Sequence, residues 1–312
     1  MGIYLVTGGG GFIGSHLVEE LVRCGEKVRV LDNFITGRRE NLAEFAGQIE
    51  LVEGDVRNLE TCRRAAESVD FVLHQAALPS VPRSVLDPLL CNDINVGGTL
   101  NMLKAAQEAG VKRFVFASSS SVYGADERLP KREGGEGVPL SPYAVTKVAG
   151  ERYCQVFNRT FGLPTVCLRY FNIFGPRQDP ASQHAAVIPL FISHYLQGRP
   201  PKIFGDGSQS RDFTYVVNVV RANLLACRAA GAAGGVFNIA GGGRVTVNEL
   251  AAVIGDITGS GAEPVYDRPR PSDILHSWAD ISLAAKVLGY KLEVGFREGL
   301  ERTVRWYKEH RT

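Results

Sequence analysis

Two residues four positions apart, Tyr143 and Lys147, have side chains that together could transfer a proton. They follow Ser141 and Pro142, a pair that favours a helix start because Ser caps free N–H groups and Pro tolerates the first helical position. Residues at i and i+4 share one helix face, so the phenol and the ammonium stand side by side. A free phenol ionises at about pH 10, and a nearby cation lowers that pKa. The pair is therefore a candidate base, although an isolated Tyr-x-x-x-Lys is often only part of a solvated helix.

Glycines near the start of the chain form a second candidate site. The apolar run Ile3–Thr7 is followed by Gly8, Gly11 and Gly14, and a helical pattern begins at once. Glycines at these positions allow a tight turn and close approach of the backbone to a pyrophosphate, which the helix N-terminus attracts. Asp32 ends the next apolar run, where an acid binds adenosine ribose hydroxyls and repels a 2′-phosphate. This context predicts a site for NAD rather than NADP, and it disfavours a glycine turn without a ligand.

The elements that must position these residues alternate between short apolar runs and amphipathic stretches, a pattern typical of βαβ units on a parallel sheet. The predicted strands are Ile3–Thr7, Lys27–Asp32, Ile49–Gly54, Phe71–Gln75, Arg113–Ser118 and Pro164–Tyr170. The predicted helices between them are Ile13–Arg23, Leu59–Glu67, Asn95–Ala109 and Tyr143–Phe161. Each strand is apolar throughout, as expected when helices cover both faces of a sheet. We therefore predict an α/β fold, with an NAD-binding, Rossmann-type doubly wound parallel sheet over residues 1–180.

The regular alternation ends near Gly175 and Pro176, after which Gly and Pro become frequent. We predict a smaller C-terminal α/β substrate domain over residues 181–312, with about 212–240 returning to the first domain. Its predicted helices are Val187–Gln197, Val219–Arg228, Val247–Thr258 and Ser282–Leu288. The stretch Gly134–Gly137 is interpreted as a flexible surface loop.

The composition excludes several classes of function. The chain has 312 residues with 45% hydrophobic and 22% charged content, as in ordinary globular proteins, and a net charge of +2 with scattered cations, so we expect no nucleic-acid partner. No apolar run approaches the roughly 20 residues that span a bilayer. The six cysteines show no paired metal spacing, which predicts reduced core thiols and no metal site. With no basic leader before the first strand, we expect a cytoplasmic protein.

Seven motifs in order resemble the extended short-chain dehydrogenase/reductase family of nucleotide-sugar enzymes, over nearly the whole chain. They are Thr7–Gly14, His74–Ala77, Ser118–Gly124, Tyr143–Lys147, Leu168–Asn172, Gly205–Gly207 with Arg211–Phe213, and Arg270–Asp273. Within that family the chain is most similar to UDP-sugar 4-epimerases, especially those that act on UDP-N-acetylglucosamine. Three further stretches carry this likeness: Val81–Ser84, Pro139–Tyr143 and Phe174–Pro180.

The resemblance implies a redox-neutral inversion at C4 of a UDP-sugar. Tyr143 would take the proton of the 4-hydroxyl while hydride passes from C4 to NAD, and Lys147 would hold the nicotinamide ribose and keep Tyr143 anionic. Ser119 would hydrogen-bond the reacting oxygen, with Ser120 assisting. The 4-keto sugar would then turn, and hydride would return to its other face. A homodimer is also implied, through the helices Asn95–Ala109 and Tyr143–Phe161.

The same resemblance supplies two sets of binding residues. The cofactor set is Gly8, Gly11, Phe12, Ile13, Gly14, Asp32, Asn33, Thr36, Gly37, Asp55, Val56, Gln75, Ala76, Ala77, Asn95, Tyr143, Lys147 and Phe171. The UDP-sugar set is Ser80, Ser119, Ser120, Tyr143, Asn172, Val187, Phe204, Arg211, Arg270, Asp273 and Ser277. The guanidinium groups of Arg211 and Arg270 suit the diphosphate. Phe204 and Val187 either line the uracil pocket or pack in the core.

Several positions bear on the choice of substrate and reaction. The small Ser277 stands where a bulky tyrosine in the family excludes an N-acetyl group, so we expect acetylated and plain UDP-hexoses to be accepted. Related 4,6-dehydratases carry acids where Ser120 and Ser121 stand, which disfavours dehydration. UDP-glucuronate 4-epimerase is the first alternative, although those enzymes usually have Thr in place of Asn172. The second is a non-catalytic NAD-binding sensor, a class that tends to lose the Tyr or the Lys.

Overall fold

A seven-stranded sheet with parallel neighbours lies at the centre of the computed structural model, which describes residues 2–179, 186–269 and 275–310. The strands are β1 Ile3–Thr7, β2 Lys27–Asp32, β3 Ile49–Glu53, β4 Phe71–His74, β5 Arg113–Ser119, β6 Thr165–Tyr170, β7 Ile173–Phe174, β8 Lys202–Phe204, β9 Ser210–Arg211, β10 Thr214–Tyr215, β11 Val236–Ile239, β12 Val245–Thr246, β13 Val265–Asp267 and β14 His276–Ser277. The order β11-β6-β5-β4-β1-β2-β3 confirms the predicted doubly wound sheet.

Helices cover both faces of this sheet. They are α1 Phe12–Arg23, α2 Leu59–Ala66, α3 Val81–Leu86, α4 Pro88–Asn92, α5 Gly98–Glu108, α6 Pro142–Thr160, α7 Val187–Leu196, α8 Val216–Arg228, α9 Val247–Thr258, α10 Ser282–Leu288 and α11 Phe296–Glu309. One face is covered by α1, α8 and α10, with Leu17 and Val219 fully buried. The other face is covered by α2, α5 and α6, with Leu103 and Phe157 buried. Burial on both faces explains why central strands such as β1 and β4 are mostly apolar, whereas the edge strand β3 carries exposed Glu50 and Glu53.

A third apolar cluster forms beside the sheet; two of its helices, α7 and α9, were predicted and the third, α11, was not. It joins α7, α9 and α11 through buried Phe191, Leu250 and Leu300. Phe12, the first residue of α1, packs against the same cluster, so the carboxyl end of β1 lies next to it. Neither α11 nor β11 was predicted. The division into two domains at residue 180 stays a prediction.

Two sequence-based interpretations need correction. The stretch Gly134–Gly137 is not a free surface loop, because the Glu136 side chain binds buried Arg169 and Glu133 just before it accepts from the backbone N–H of Asn238 at 2.7 Å. The predicted helix Asn95–Ala109 starts inside a π-helical turn, Asp93–Gly97, which joins α4 to α5.

Among the described residues, no helix is both long and apolar enough to cross a bilayer.

Candidate active site

The two residues at the start of α6 face each other as their spacing predicts. The Ser141 Oγ accepts from the Ala144 N–H at 3.2 Å, which confirms the predicted helix start. The backbone N–H of Tyr143 donates to Ser84 Oγ at 3.1 Å, and this bond ties α6 to α3. The Lys147 Nζ lies 5.7 Å from the centroid of the Tyr143 ring and donates to the Ala117 carbonyl of β5 at 2.8 Å. Helix and sheet thus hold the ammonium beside the phenol.

Ser119 ends β5 within hydrogen-bonding reach of Tyr143. Burial raises the pKa of Tyr143 to about 12, and the hydrogen bond from the Ser119 side chain opposes that rise. Burial lowers the pKa of Lys147 to about 8. In the protein without cofactor, desolvation therefore favours the neutral phenol, and the anionic phenol expected beside bound NAD stays a prediction. Further positive charge is needed to make Tyr143 a base near neutral pH.

The glycine loop has the shape that a dinucleotide requires. Gly8 has a φ of +68°, which favours glycine, and a Cβ there would lie 2.9 Å from the Ala76 nitrogen. A Cβ on Gly14 would lie 2.8 Å from the Gly8 carbonyl carbon, so α1 packs directly on the turn. No side chain caps the first turn of α1 at Gly11, and its N–H groups therefore stay available for an anion. These residues fit the pyrophosphate of NAD.

Residues of the adenosine side gather around the end of β2. Asp32 is buried, and its two oxygens accept from the N–H groups of Gly10 and Phe34, each at 2.8 Å. Burial raises its pKa. A carboxylate has about four acceptor positions, so Asp32 keeps acceptor capacity for a ribose hydroxyl. A Cβ on Gly37 would lie 3.0 Å from Asp32 Oδ2, which makes close approach possible only for glycine.

Asn33 and Asp55 form the neighbouring wall. The Asn33 amide donates to Asp55 at 2.7 Å, and Arg57 also binds that carboxylate, which lowers the pKa of Asp55 to about 2. Thr36 is exposed on the loop between Asn33 and Gly37. Asp55 is thus an anion held in place at the carboxyl end of β3.

The segment after β4 brings Gln75, Ala76 and Ala77 to the same edge of the sheet, half-buried. Asn95 is buried beneath it: its Oδ1 accepts from the Leu78 N–H at 2.7 Å, and its Nδ2 donates to Thr146 Oγ1 at 3.1 Å. Asn95 thus joins the segment after β4 to Thr146, the residue before Lys147, and its place in a cofactor site stays a prediction.

Three residues of the expected binding sets have side chains that pack against apolar clusters: Phe171 and Val56 are buried, and Val187 is half-buried. The Phe171 side chain is fully buried against Val122 and Ala240. Val56 is buried against α2 and α5, and Val187 packs on the C-terminal apolar cluster. Their side chains pack because each is apolar and sits at an element boundary; only the backbone of Phe171 and Val56 remains for ligand contacts.

On the substrate side the structure brings Arg211 and Ser277 together as paired residues of β9 and β14. Asn172 follows β6 with a φ of +38°, and its amide donates to the Asp212 carbonyl at 3.0 Å. Phe204 is half-buried at the end of β8. Arg270 and Asp273 lie outside the described residues.

Two of the serines in the substrate set, Ser80 and Ser120, lie at the starts of short helices. Ser80 Oγ accepts from the Arg83 N–H at 3.2 Å and so caps α3. Ser120 begins a short 3-10 helix, Ser120–Tyr123, directly after Ser119. Neither role prevents a hydroxyl from contacting a ligand as well.

Sequence reasoning missed Asp212 and His74 as organising residues of the site. The buried Asp212 carboxylate accepts from the N–H groups of Gly241 at 2.7 Å and Ala279 at 3.3 Å, which joins β9 to the loop after β11 and to the segment after Ser277. His74 bonds Thr7 at 2.8 Å and Thr99 at 3.1 Å, and burial lowers its pKa to about 3. Both residues lie within the family motifs His74–Ala77 and Arg211–Phe213. A charged or titratable group in an apolar context is the signal that could have identified them.

Comparison with known proteins agrees with this geometry. Residues 4–240 match the model of the NAD dependent epimerase/dehydratase family. The chain is 40% identical over 310 residues to the UDP-glucose 4-epimerase of Mycolicibacterium smegmatis, covering 97% of this chain and 98% of that protein. It is similar to the structure of a UDP-N-acetylglucosamine 4-epimerase from Methanobrevibacter ruminantium in complex with UDP-N-acetylmuramic acid (TM-score 0.94, 41% identity, 99% and 98% of the two chains). It is also similar to a UDP-glucose 4-epimerase of Thermus thermophilus in complex with NAD (TM-score 0.89, 37% identity, 99% of both chains).

Proposed function

The chain belongs to the NAD dependent epimerase/dehydratase family, and we propose that it inverts C4 of UDP-hexoses, both acetylated and plain. It is an enzyme of the UDP-sugar 4-epimerase class and uses NAD. One observation carries the choice of reaction: Tyr143 bonds Ser119 beside Lys147, while the two positions that would need an acid for dehydration are Ser120 and Ser121. An inversion needs a single proton-transferring group at C4, and this site supplies one.

The chain's own residues move one proton. Tyr143 takes the proton of the 4-hydroxyl and later returns it, while Ser119 hydrogen-bonds the same oxygen. NAD, when bound, supplies the acceptor and donor of the C4 hydride. Hydride and proton each leave and return once, so the product differs from the substrate only in configuration. Lys147, with a pKa of about 8, is largely an ammonium at pH 7 and supplies charge that favours the phenolate.

The substrate is held at its diphosphate and at its sugar. Arg211 and Asn172 bind the diphosphate in this proposal, and Arg270 and Asp273 lie outside the described residues. Ser277 sits across from Arg211 in the β9–β14 pair, so a ligand whose phosphates contact Arg211 places its sugar near position 277. A small side chain there leaves room for an N-acetyl group, which supports UDP-N-acetylglucosamine and UDP-N-acetylgalactosamine as substrates.

We also propose a homodimer, through a surface that differs from the expected one. Large exposed apolar side chains lie on α3, α4 and α6, and these helices contact one another; the residues are Val85, Leu86, Leu89, Val145 and Val156. The apolar residues of α5 are instead buried on the sheet, and its exposed side carries the ion pair of Lys104 with Glu108. An exposed apolar patch of this kind suits a second copy of the chain. Light scattering should give a dimer mass that Leu89→Lys lowers and that Val265→Lys, on β13, leaves unchanged.

The experiment that tests the proposed reaction is a panel of UDP-sugars incubated with purified protein, with products identified by NMR. The panel contains UDP-N-acetylglucosamine, UDP-glucose and UDP-glucuronate, each with and without added NAD. We expect both hexoses to form their C4 epimers, and Tyr143→Phe to form none. Conversion of UDP-glucuronate alone would overturn the substrate assignment. A wild-type protein that binds NAD and converts no sugar would overturn the proposal in favour of a sensor.

A further inference from the structure

A fully buried ion pair lies one helical turn behind the proposed catalytic residues. Arg169 of β6 and Glu151 of α6 are only 1% and 2% exposed. The guanidinium donates to both oxygens of the Glu151 carboxylate, from Nε at 2.8 Å and from Nη2 at 2.7 Å. Such bidentate pairing fixes both position and orientation. Burying two ions this deeply has a large desolvation cost, so the pair is weak evidence for stability and points to another role.

The pair connects the elements that carry the reacting groups. Ser118, the residue before Ser119, donates its hydroxyl to Glu151 Oε1 at 2.5 Å. Glu151 lies four residues after Lys147 on the same helix, and positions i and i+4 share one helix face. The Arg169 guanidinium also donates from Nη1 to the Tyr123 hydroxyl at 3.0 Å, and Glu136 shares Nη2 with Glu151. Glu151 therefore touches the strand end of Ser119 and the helix face of Lys147 at once.

Glu151 also lies on the helix face of Lys147, one turn along α6. Of the titratable groups around its ammonium, His74 on β4 is neutral because its pKa is about 3, and burial raises the pKa of the Cys91 thiol on α4. Tyr143 has a pKa of about 12, and Cys154 lies further along α6. Cys91, Glu151 and Cys154, in that order, oppose the effect of burial on the Lys147 pKa. Because burial raises the pKa of the Cys91 thiol and so favours its neutral form, the carboxylate of Glu151 is the charged member of the first two.

We propose that Glu151 is a positioning residue whose carboxylate, fixed by Arg169 and Ser118, stabilises the Lys147 ammonium beside Tyr143. It touches neither substrate nor cofactor and acts through Lys147. Arg169 orients Glu151, and Glu136 accepts from the same Nη2 that binds Glu151. This inference rests on the proposed function, because a charged Lys147 matters to the reaction only if Tyr143 is the base.

The decisive experiment compares Glu151→Gln with Glu136→Gln as its matched control. Both variants remove one carboxylate from Arg169, but only position 151 lies next to Lys147. We expect the alkaline limb of kcat/KM to move to lower pH by about one unit in Glu151→Gln, the scale of a charge lost one turn away in a buried site. The limb should stay in place in Glu136→Gln. If the alkaline limb of kcat/KM lies at the same pH in both variants, the proposal is overturned and the ion pair is purely structural.

A second measurement needs no turnover. The Lys147 pKa of about 8 lies below that of an unfolded lysine, so the unfolding free energy of cofactor-free protein should rise with pH from about 8 upward. In Glu151→Gln this rise should begin about one pH unit lower.

If Glu151→Gln does not fold, Arg169→Gln tests the same idea with the opposite sign. The Glu151 carboxylate, no longer paired with Arg169, should move both the onset of this stability rise and the alkaline limb of kcat/KM to higher pH. A shift to lower pH, or none, would overturn it. Wild-type protein without epimerase activity would instead refute the proposed function, while the unfolding measurement would still test Glu151.

Discussion

Gly14→Ala separates the stability of the fold from the binding of the cofactor. An added Cβ would lie 2.8 Å from the Gly8 carbonyl carbon and from the Gly9 Cα, and closer still to the Gly8 carbonyl oxygen. These are backbone atoms, so the turn and α1 must move apart by on the order of 1 Å to reach ordinary contact. Overpacking costs about 1–3 kcal/mol, and Ala gains about 1 kcal/mol over Gly in a helix. The unfolding free energy should therefore fall by only about 0–2 kcal/mol.

The loss of NAD affinity should be larger than this loss of stability. Moving the uncapped first turn of α1 weakens the N–H groups that meet the pyrophosphate. Two hydrogen bonds to a charged group, at about 1.5 kcal/mol each, amount to about 3 kcal/mol, or about 100-fold in Kd. Calorimetric titration of cofactor-free protein with NAD measures the affinity, and thermal melting measures the stability.

Gly97→Ala is the matched control for this prediction. Gly97 also lies in a helical segment, with a φ of −59°, and a Cβ there meets no atom within 4 Å. We expect this variant to bind NAD as the wild type does and to melt no earlier. If Gly14→Ala bound NAD within about threefold of wild type, less than 1 kcal/mol, the reasoning about the loop would be refuted.

Three further predictions concern the reaction, the substrate and pH. Tyr143→Phe should lower epimerisation by about 100- to 10,000-fold without a change in melting temperature, and near-normal product formation by NMR would contradict its role as base. Ser277→Tyr should lower turnover of UDP-N-acetylglucosamine relative to UDP-glucose in a competition assay, and an unchanged ratio would remove Ser277 from the pocket. Substitutions of His74 and Asp212 should change the pH dependence of the unfolding free energy in opposite directions. His74, with a pKa of about 3, binds its proton only when unfolded at pH 4–6, whereas burial raises the pKa of Asp212 to about 7, so that it binds its proton only when folded. We compare each variant with wild type as pH falls from 6 to 4. The difference in unfolding free energy should rise for His74→Gln and fall for Asp212→Asn, by about 1.4 kcal/mol per pH unit in each case. Urea denaturation measures both, and pH curves parallel to that of wild type would refute these assignments.

The sheet was largely predictable because most of its strands are rich in buried apolar residues and are followed by turn residues. All six predicted strands of the first 180 residues form, with ends that differ by one residue at most. β11 was missed because Val236–Ile239 has only four residues, one of them the polar Asn238, and is too short for periodicity to distinguish from other structure. α11 could have been predicted, since Leu300, Val304 and Tyr307 follow helical spacing among charged residues.

The site was predictable where its chemistry lies within one element. The Tyr143–Lys147 spacing and the Gly8–Gly14 turn are local, and the structure places both at the carboxyl end of the sheet. The pair of Glu151 with Arg169 joins residues 18 positions apart on a helix and a strand, so it depends on how α6 packs on β6. The protonation of Tyr143 also depends on packing, because burial reverses the effect that the neighbouring cation suggests.

The π-helical turn Asp93–Gly97 fixes the number of residues between α4 and α5. A π-helical turn closes with i→i+5 bonds and so holds one residue more than an α-helical turn, and deleting one residue here would restore the regular helix and remove that bulge. Asn95 would then turn away from Leu78 and Thr146, which it now holds together. Substitutions within this turn change side chains one at a time, whereas a change of its length would separate the segment after β4 from the start of α6. Chain length at this point is therefore under a stricter requirement than sequence.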